Sequence, residues 1–335
     1  MIWWKKVLIA IAALLILFII LGIIMPKDLA MSQTKTINAP VQYVYNLLNN
    51  LKDSKQWNPF IQEDPDMELT YGSPWEGTGA QMSWKSDVTG NGSNTYTNTV
   101  ENKLIESDLN FEGMDPSYYS FELNTTEKNS TNLTWTMKTR LGFPYNVMGP
   151  LFKYMIKKSY RKGLDNIEKV VIDRKAGSYN GYKVSEILLS DRNYAMNRKE
   201  VKASEVRDFY SQSLGPIFQK IQAEGLTMTG KPVALYFSYD RIKEKTDMAA
   251  AVPINIAREI KDLSFINISP QSAVQVEYRG DYNGLASVHE AIRSYMMDRM
   301  LTKNGPSIEE YISDPIEEKD PTKYITKVIY PITKK

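Results

Sequence analysis

The stretch AVQVEYRG (residues 273–280), with LASVHEAIRSYMMDRM (285–300), SIEEYIS (307–313) and KYITKVIYPI (323–332) after it, decides how the second half of the 335-residue chain folds. The first piece alternates apolar and polar residues, as a half-buried strand does. In the second, Leu285, Val288, Ile292, Tyr295 and Met296 recur at helical spacing. The last two return to strand-like patterns, which gives the order β-α-β-β. The same order precedes it: a strand over 183–196, a helix over 203–224, then strands around PVALYFSY (232–239) and DMAAAVPI (247–254). A further strand, FINIS (265–269), leads from one unit to the next. YFSYDRIKEK (236–245) echoes YISDPIEEK (311–319), and the units end in VPI and YPI, so that Tyr236 corresponds to Tyr311 and Pro253 to Pro331. Duplication of this kind predicts a groove between the sheets of the two units.

If SIEEYIS is extended, its side chains alternate. Ile308, Glu310 and Ile312 share one face; Glu309, Tyr311 and Ser313 share the other. Packing of the isoleucines on the helices would turn Glu309 and Tyr311 into the groove and leave Glu310 near its edge, in reach of water. The alignment sets Ala234 opposite Glu309 in the repeat, so the groove would hold one carboxylate among tyrosines. Such a site favours a ligand that is both cationic and apolar, through charge and cation–π attraction. The other reading is a surface strand with two solvated glutamates.

Composition narrows the chemistry. With 41 basic and 39 acidic residues the net charge is +2, too small to attract nucleic acid as a partner. There is no cysteine and one histidine, His289. This removes disulfides, thiolate nucleophiles, Cys-containing zinc sites and His pairs, and no metal or cofactor is expected. His289 sits on the 285–300 helix beside Val288 and Glu290 and reads as a structural or exposed helix position rather than a catalytic one.

The chain opens with MIWWKKVLIAIAALLILFIILGIIMPKD, whose uncharged apolar run from Val7 to Met25 is long enough to cross a bilayer core of about 30 Å. Trp3 and Trp4 suit the interface, and Pro26 ends the run. The run is longer than the apolar part of a cleaved signal peptide, so an uncleaved membrane anchor over 1–30 is expected. Lys5 and Lys6 favour an inside amino terminus, which would leave the rest of the chain extracytoplasmic.

Behind the anchor, DRKAGSYNGY (173–182) has the composition of a connector. It separates a first domain over 31–174 from a second over 183–335, with 175–182 as linker. The first domain offers a short strand (33–37), a helix in APVQYVYNLLNNL, a series of strands rich in Thr, Tyr and Ser, and a closing helix over 145–172. Met148, Leu151, Phe152, Met155, Leu164, Ile167 and Val171 mark the apolar side of that helix. This is an α+β plan in which a curved sheet wraps one helix. Trp57, Trp75, Trp84 and Trp135 either line an apolar cavity between sheet and helix or fill the core.

INAPVQYVYNLL, WNPF, GTGAQMSW and the closing helix resemble the START-like polyketide cyclase/dehydrase superfamily, also called SRPBCC, over about residues 32–174. The resemblance implies a helix-grip cavity for apolar ligands. AVQVEYRGDYNGL…IRSYM and IEEYISDPIEEKDPTKYITKVIYPI resemble the GyrI-like small-molecule-binding domain, the effector-binding domain of AraC-type and multidrug-responsive regulators, over about 182–332. That resemblance implies a duplicated β-α-β-β fold for small, often cationic lipophilic molecules, with a glutamate two residues before an aromatic as the central polar contact. The contact maps to Glu309 with Tyr311 beside it, and Tyr236, Tyr278 and Tyr282 become wall candidates. Where the regulators carry a helix-turn-helix domain, this sequence has an anchor and a START-like module instead. The expected fold is thus α+β: a transmembrane helix, a helix-grip START-like domain and a duplicated β-α-β-β GyrI-like domain. The expected function is a membrane-anchored binding protein for lipophilic small molecules. Some GyrI-like proteins resemble hydrolases, so a hydrolase with Glu309 as general base is the alternative.

Overall fold

A computed structural model describes residues 3–240, 243–313 and 317–334. The chain divides into two compact units, Met1–Lys175 and Ala176–Lys335. Two pieces of the repeated segments, 241–242 and 314–316, lie outside the described residues.

The first unit begins with α1 (Trp3–Ile24), exposed along its length except at Leu21 and Gly22. After it come β1 (Asp28–Ile37), α2 (Val41–Asn49) and the short helices α3 (Ser54–Trp57) and α4 (Pro59–Gln62). Pro40 before α2 and Pro59 at the start of α4 sit where a helix has no use for the missing N–H, and Asn58 caps α4 through the Phe60 amide. Six strands complete the sheet: β2 (Glu68–Tyr71), β3 (Gln81–Lys85), β4 (Gly92–Val100), β5 (Leu104–Phe111), β6 (Ser117–Thr125) and β7 (Thr131–Arg140). Their antiparallel order is β1-β7-β6-β5-β4-β3-β2, and α5 (Gly149–Lys175) packs across the sheet. The burial of alternate residues along β7, from Thr131 through Leu133, Trp135 and Met137, shows one face of the sheet turned inward. At Gly163 a Cβ would lie 2.7 Å from the Trp135 ring, so only glycine lets α5 come this close.

The second unit does not begin with a slack connector. β8 (Ser178–Tyr179) and β9 (Tyr182–Lys183) form a hairpin whose turn residues Asn180 and Gly181 have φ of 51° and 82°. Asn-Gly is the pair that tolerates positive φ at both turn positions. Tyr179 is fully buried and donates to Asp298 at 2.9 Å. Then follow β10 (Ser185–Leu189), β11 (Arg192–Lys202), α6 (Val206–Ala223), β12 (Val233–Asp240), β13 (Lys245–Ile254), β14 (Ser264–Ile268), β15 (Gln271–Arg279), α7 (Leu285–Asp298), β16 (Leu301–Lys303), β17 (Ser307–Tyr311) and β18 (Ile325–Lys334). The single strand expected over 183–196 is broken at residues 190–191, and its two parts pair in different halves.

The duplication is visible in the pairing. One continuous antiparallel sheet runs β10-β15-β18-β17-β12-β13-β11-β14, with β16 added on β18. The units β11-α6-β12-β13 and β15-α7-β17-β18 meet at β12 and β17, and the strand before each unit pairs with the other unit's first strand. Tyr236 pairs with Met248 and Tyr311 with Thr326. The step from Met248 to Thr326 equals that from Pro253 to Pro331, so the registers agree with the alignment of the repeats.

One expectation fails. Glu309 and Tyr311 do share a face opposite Ile308, but both helices lie on the Glu309 side. Ile308 packs with Leu189, Tyr194, Leu235, Ile268 and Ile329 on the opposite face, where the sheet curls over itself. The curl brings Arg192 on β11 to Glu310 on β17, although β13 and β12 lie between these strands. Glu310 is therefore held by a guanidinium, with its side chain 19% exposed, rather than standing at a groove edge in water. Burial of both faces explains the run Ala249–Ala250–Ala251, each 0% exposed: small side chains suit a strand covered from both sides.

Candidate functional site

Glu309 lies at the centre of the sheet, on the strand pair that joins the repeats. Its neighbour across the pair is Ala234, on the same face. The side chain of Glu309 is 6% exposed. Oε1 accepts from His289 Nε2 at 2.8 Å, and Oε2 accepts from the Tyr311 hydroxyl at 2.6 Å and the Tyr236 hydroxyl at 3.4 Å. Among the described residues no Lys or Arg pairs with it.

A carboxylate offers only acceptors, so His289 carries a proton on Nε2. In the neutral ring Nδ1 then accepts from the Tyr330 hydroxyl, 2.9 Å away. Burial first, and the Glu309 charge second, push the hydroxyls of Tyr236, Tyr311 and Tyr210 well above the usual tyrosine range. Burial likewise raises Tyr330 to about 12. These hydroxyls are hydrogen-bond donors at neutral pH and not bases.

The aromatic wall comes from both helices and the sheet. Tyr210 on α6 meets the Tyr311 ring edge-on at 5.3 Å, and Tyr282 meets it from the other side at 5.4 Å. His289 on α7 lies 6.1 Å from the Tyr236 ring and 5.8 Å from that of Tyr330. Tyr210, Tyr236, Tyr282, Tyr311 and Tyr330 are each half-buried, so part of the ring surface around the one anion stays accessible. The groove expected between two sheets is not formed: the repeats share one continuous sheet, and the cluster lies on its Glu309 face.

Of the residues singled out from sequence, the structure gathers Glu309, Tyr311, Tyr236 and Tyr282. It sets Tyr278 apart: that hydroxyl donates to Asp281 O at 2.9 Å, and the ring stacks edge-on with Tyr182 at 6.0 Å. His289, Tyr210 and Tyr330 were missed. His289, expected as a structural or exposed position, is part-buried and bonded to Glu309. A clue was present, since Leu285, His289, Ile292 and Met296 lie on one helical stripe.

Beneath this cluster Lys303 donates to Tyr236 O at 2.9 Å and to Ser307 Oγ at 3.5 Å, with its ammonium 5.4 Å from the Tyr330 ring. Burial lowers it from 10.5 to about 8. The folded state therefore releases this proton before the unfolded chain does, and stability rises between pH 8 and 10.5. Lys303→Met should raise Tm at pH 7 by roughly 2–4 °C. Thermal unfolding at pH 7 and pH 10 checks this, because the advantage should shrink at the higher pH.

In the first unit Trp57 and Trp135 come together. Their rings meet edge-on at 5.6 Å, and Trp135 stacks on Tyr160 at 3.8 Å. Trp84 packs on Phe111 at 5.6 Å and donates Nε1 to Gly90 O at 2.9 Å. Trp75 is half-buried with the Lys52 ammonium 3.5 Å over its ring. The indole N–H groups of Trp57 and Trp135 are buried without a hydrogen-bond partner. Among the described residues no group of three His, Asp or Glu side chains could hold a metal ion.

Residues 28–171 match the family described as polyketide cyclase / dehydrase and lipid transport, and residues 182–333 match the GyrI-like small molecule binding domain. No curated protein matches the chain significantly. Similar solved structures include the EcmrR C-terminal domain, at 19% identity and a TM-score of 0.41, covering 46% of this chain and 99% of that one. A hydrolase encoded by lin2189 from Listeria innocua follows at 14% identity and a TM-score of 0.33, covering 45% and 91%. SAV2435 bound to tetraphenylphosphonium has 14% identity and a TM-score of 0.34, covering 45% and 93%. The chain thus carries, after an amino-terminal helix long and apolar enough to cross a membrane, a polyketide cyclase/dehydrase-type domain and a GyrI-like small-molecule-binding domain.

Proposed function

We propose that this chain is a membrane-anchored binding protein that takes lipophilic cations at Glu309 and apolar ligands between the sheet and long helix of its first domain. The observation that carries the reading is the Glu309 carboxylate: it is nearly buried, ringed by half-buried tyrosines, and held by neutral hydroxyls and an imidazole instead of a Lys or Arg. A ligand cation would supply the missing counter-charge, and its apolar body would cover the rings. Two ions of nearly the same shape and opposite charge test this. Titration calorimetry should detect tetraphenylphosphonium and not tetraphenylborate; equal binding of the two would remove the charge from the explanation.

Anchoring through α1, with the amino terminus inside and both domains extracytoplasmic, is supported by the length of the helix and by Lys5 and Lys6. Labelling of a single introduced cysteine by a membrane-impermeant reagent on intact cells tests the side. The direct His289–Glu309 contact favours one second reading, a hydrolase in which Glu309 accepts a proton from water. Turnover of a reactive ester that is lost in Glu309→Gln would support it.

A further inference from the structure

The amino-terminal half of α5 departs from the pattern of a helix gripped by a sheet. Phe152 and Leu164 face the core as expected, and Ile156 and Tyr160 join them. Met148, Leu151 and Met155, expected on the same apolar side, are instead 53%, 50% and 56% exposed, and Tyr145 and Tyr154 are 70% and 68% exposed. Met148, Leu151, Met155 and Lys158 follow one another at spacings of three and four, so they form a single outward stripe. Residues 141–164 contain no Asp or Glu, and Lys153, Lys157 and Lys158 have no anionic partner among the described residues. An apolar stripe flanked by unpaired lysines is the pattern of a helix lying in a membrane interface.

This face begins where α1 ends. Asn146, fully buried, donates through Nδ2 to Gly22 O at 2.8 Å and to Met25 O at 3.0 Å, satisfying carbonyls that a helix end leaves open. The Phe143 ring occupies the space that a Cβ at Gly22 would need, 2.4 Å away. The apolar helix is thus seated on the segment that opens α5. Its first turn carries interfacial aromatics, Trp3 and Trp4, and its last turn has none. Phe143, Tyr145 and Tyr154 supply that second belt from the folded domain.

We infer that the first domain docks on the bilayer through this face: Tyr145, Met148, Leu151, Tyr154 and Met155 enter the headgroup boundary, and Lys153, Lys157 and Lys158 meet anionic phospholipid. The inference rests on the reading of α1 as a membrane span. It makes the domain a rigid attachment to the surface instead of a body on a loose tether, and it commits the exposed stripe to lipid and not to a second copy of the chain.

Because the chain has no cysteine, single labels report without background. The full chain with Leu151→Cys, or with Glu101→Cys in the turn at the other end of the sheet as a control, is labelled with a fluorophore. Each is reconstituted in phosphatidylcholine vesicles with and without phosphatidylglycerol, and doxyl-lipid quenching is read. The Leu151 label should be quenched at least about threefold more than the Glu101 label, more so with phosphatidylglycerol, and Lys153, Lys157 and Lys158→Gln together should cancel the lipid dependence. Equal quenching at the two labels, in a chain that resists carbonate extraction, overturns docking and leaves the anchor standing. Release by carbonate removes the anchor and the docking with it. Disulfide formation between Leu151→Cys chains without lipid quenching assigns the stripe to a second copy and overturns the inference.

Discussion

Glu309→Gln will weaken tetraphenylphosphonium binding by about 10- to 100-fold while leaving the fold intact. A unit charge about 6 Å from a cation, at an effective dielectric near 20, contributes roughly 3 kcal/mol, which sets the upper end of that range. The fold should survive because glutamine keeps an acceptor for Tyr311, and His289 can exchange its tautomer with Tyr330 to accept from the new amide. An unchanged Tm with a large loss of affinity is the signature of a lost charge. Unchanged affinity takes Glu309 out of the ligand site, whatever happens to stability.

Trp135→Ala will cost about 3–5 kcal/mol of unfolding free energy if the ring fills the core. Trp135 is 4% exposed and touches three other rings: Tyr160 at 3.8 Å, Phe121 at 4.9 Å and Trp57 at 5.6 Å. Each of those contacts is lost in alanine, and so is the close approach of Gly163 on α5 to the ring. Urea unfolding of the wild-type and variant chains measures the difference. A loss below about 1 kcal/mol would mean that the ring borders a pre-existing void, and would favour Trp135 as a cavity wall.

Much of this architecture was legible from local pattern. The repeat was readable because its strand registers preserve the spacing of Tyr236, Tyr311, Pro253 and Pro331. The alternation that separates Glu309 from Ile308 was equally plain, since a strand has only two faces. Which face carries the helices was not, because period two cannot distinguish a face under a helix from one folded onto itself by a curled sheet. Glu310 shows the cost: its partner Arg192 lies 118 residues away and reaches it only through that curl. His289 was hidden by a different cause. A histidine on an apolar helical stripe looks like core until the strand bearing its carboxylate is placed beneath it. On α5 the pattern correctly marked apolar residues and misassigned their surroundings, since composition says which side chains avoid water and not what shields them.

The pairing of Ala234 with Glu309 has a consequence for symmetry. Duplication built a nearly two-fold frame, and at its axis one copy kept a methyl group where the other kept an acid. On the proposed function, a guest held there would draw its counter-charge from one repeat alone, and the other repeat would give it only apolar contact.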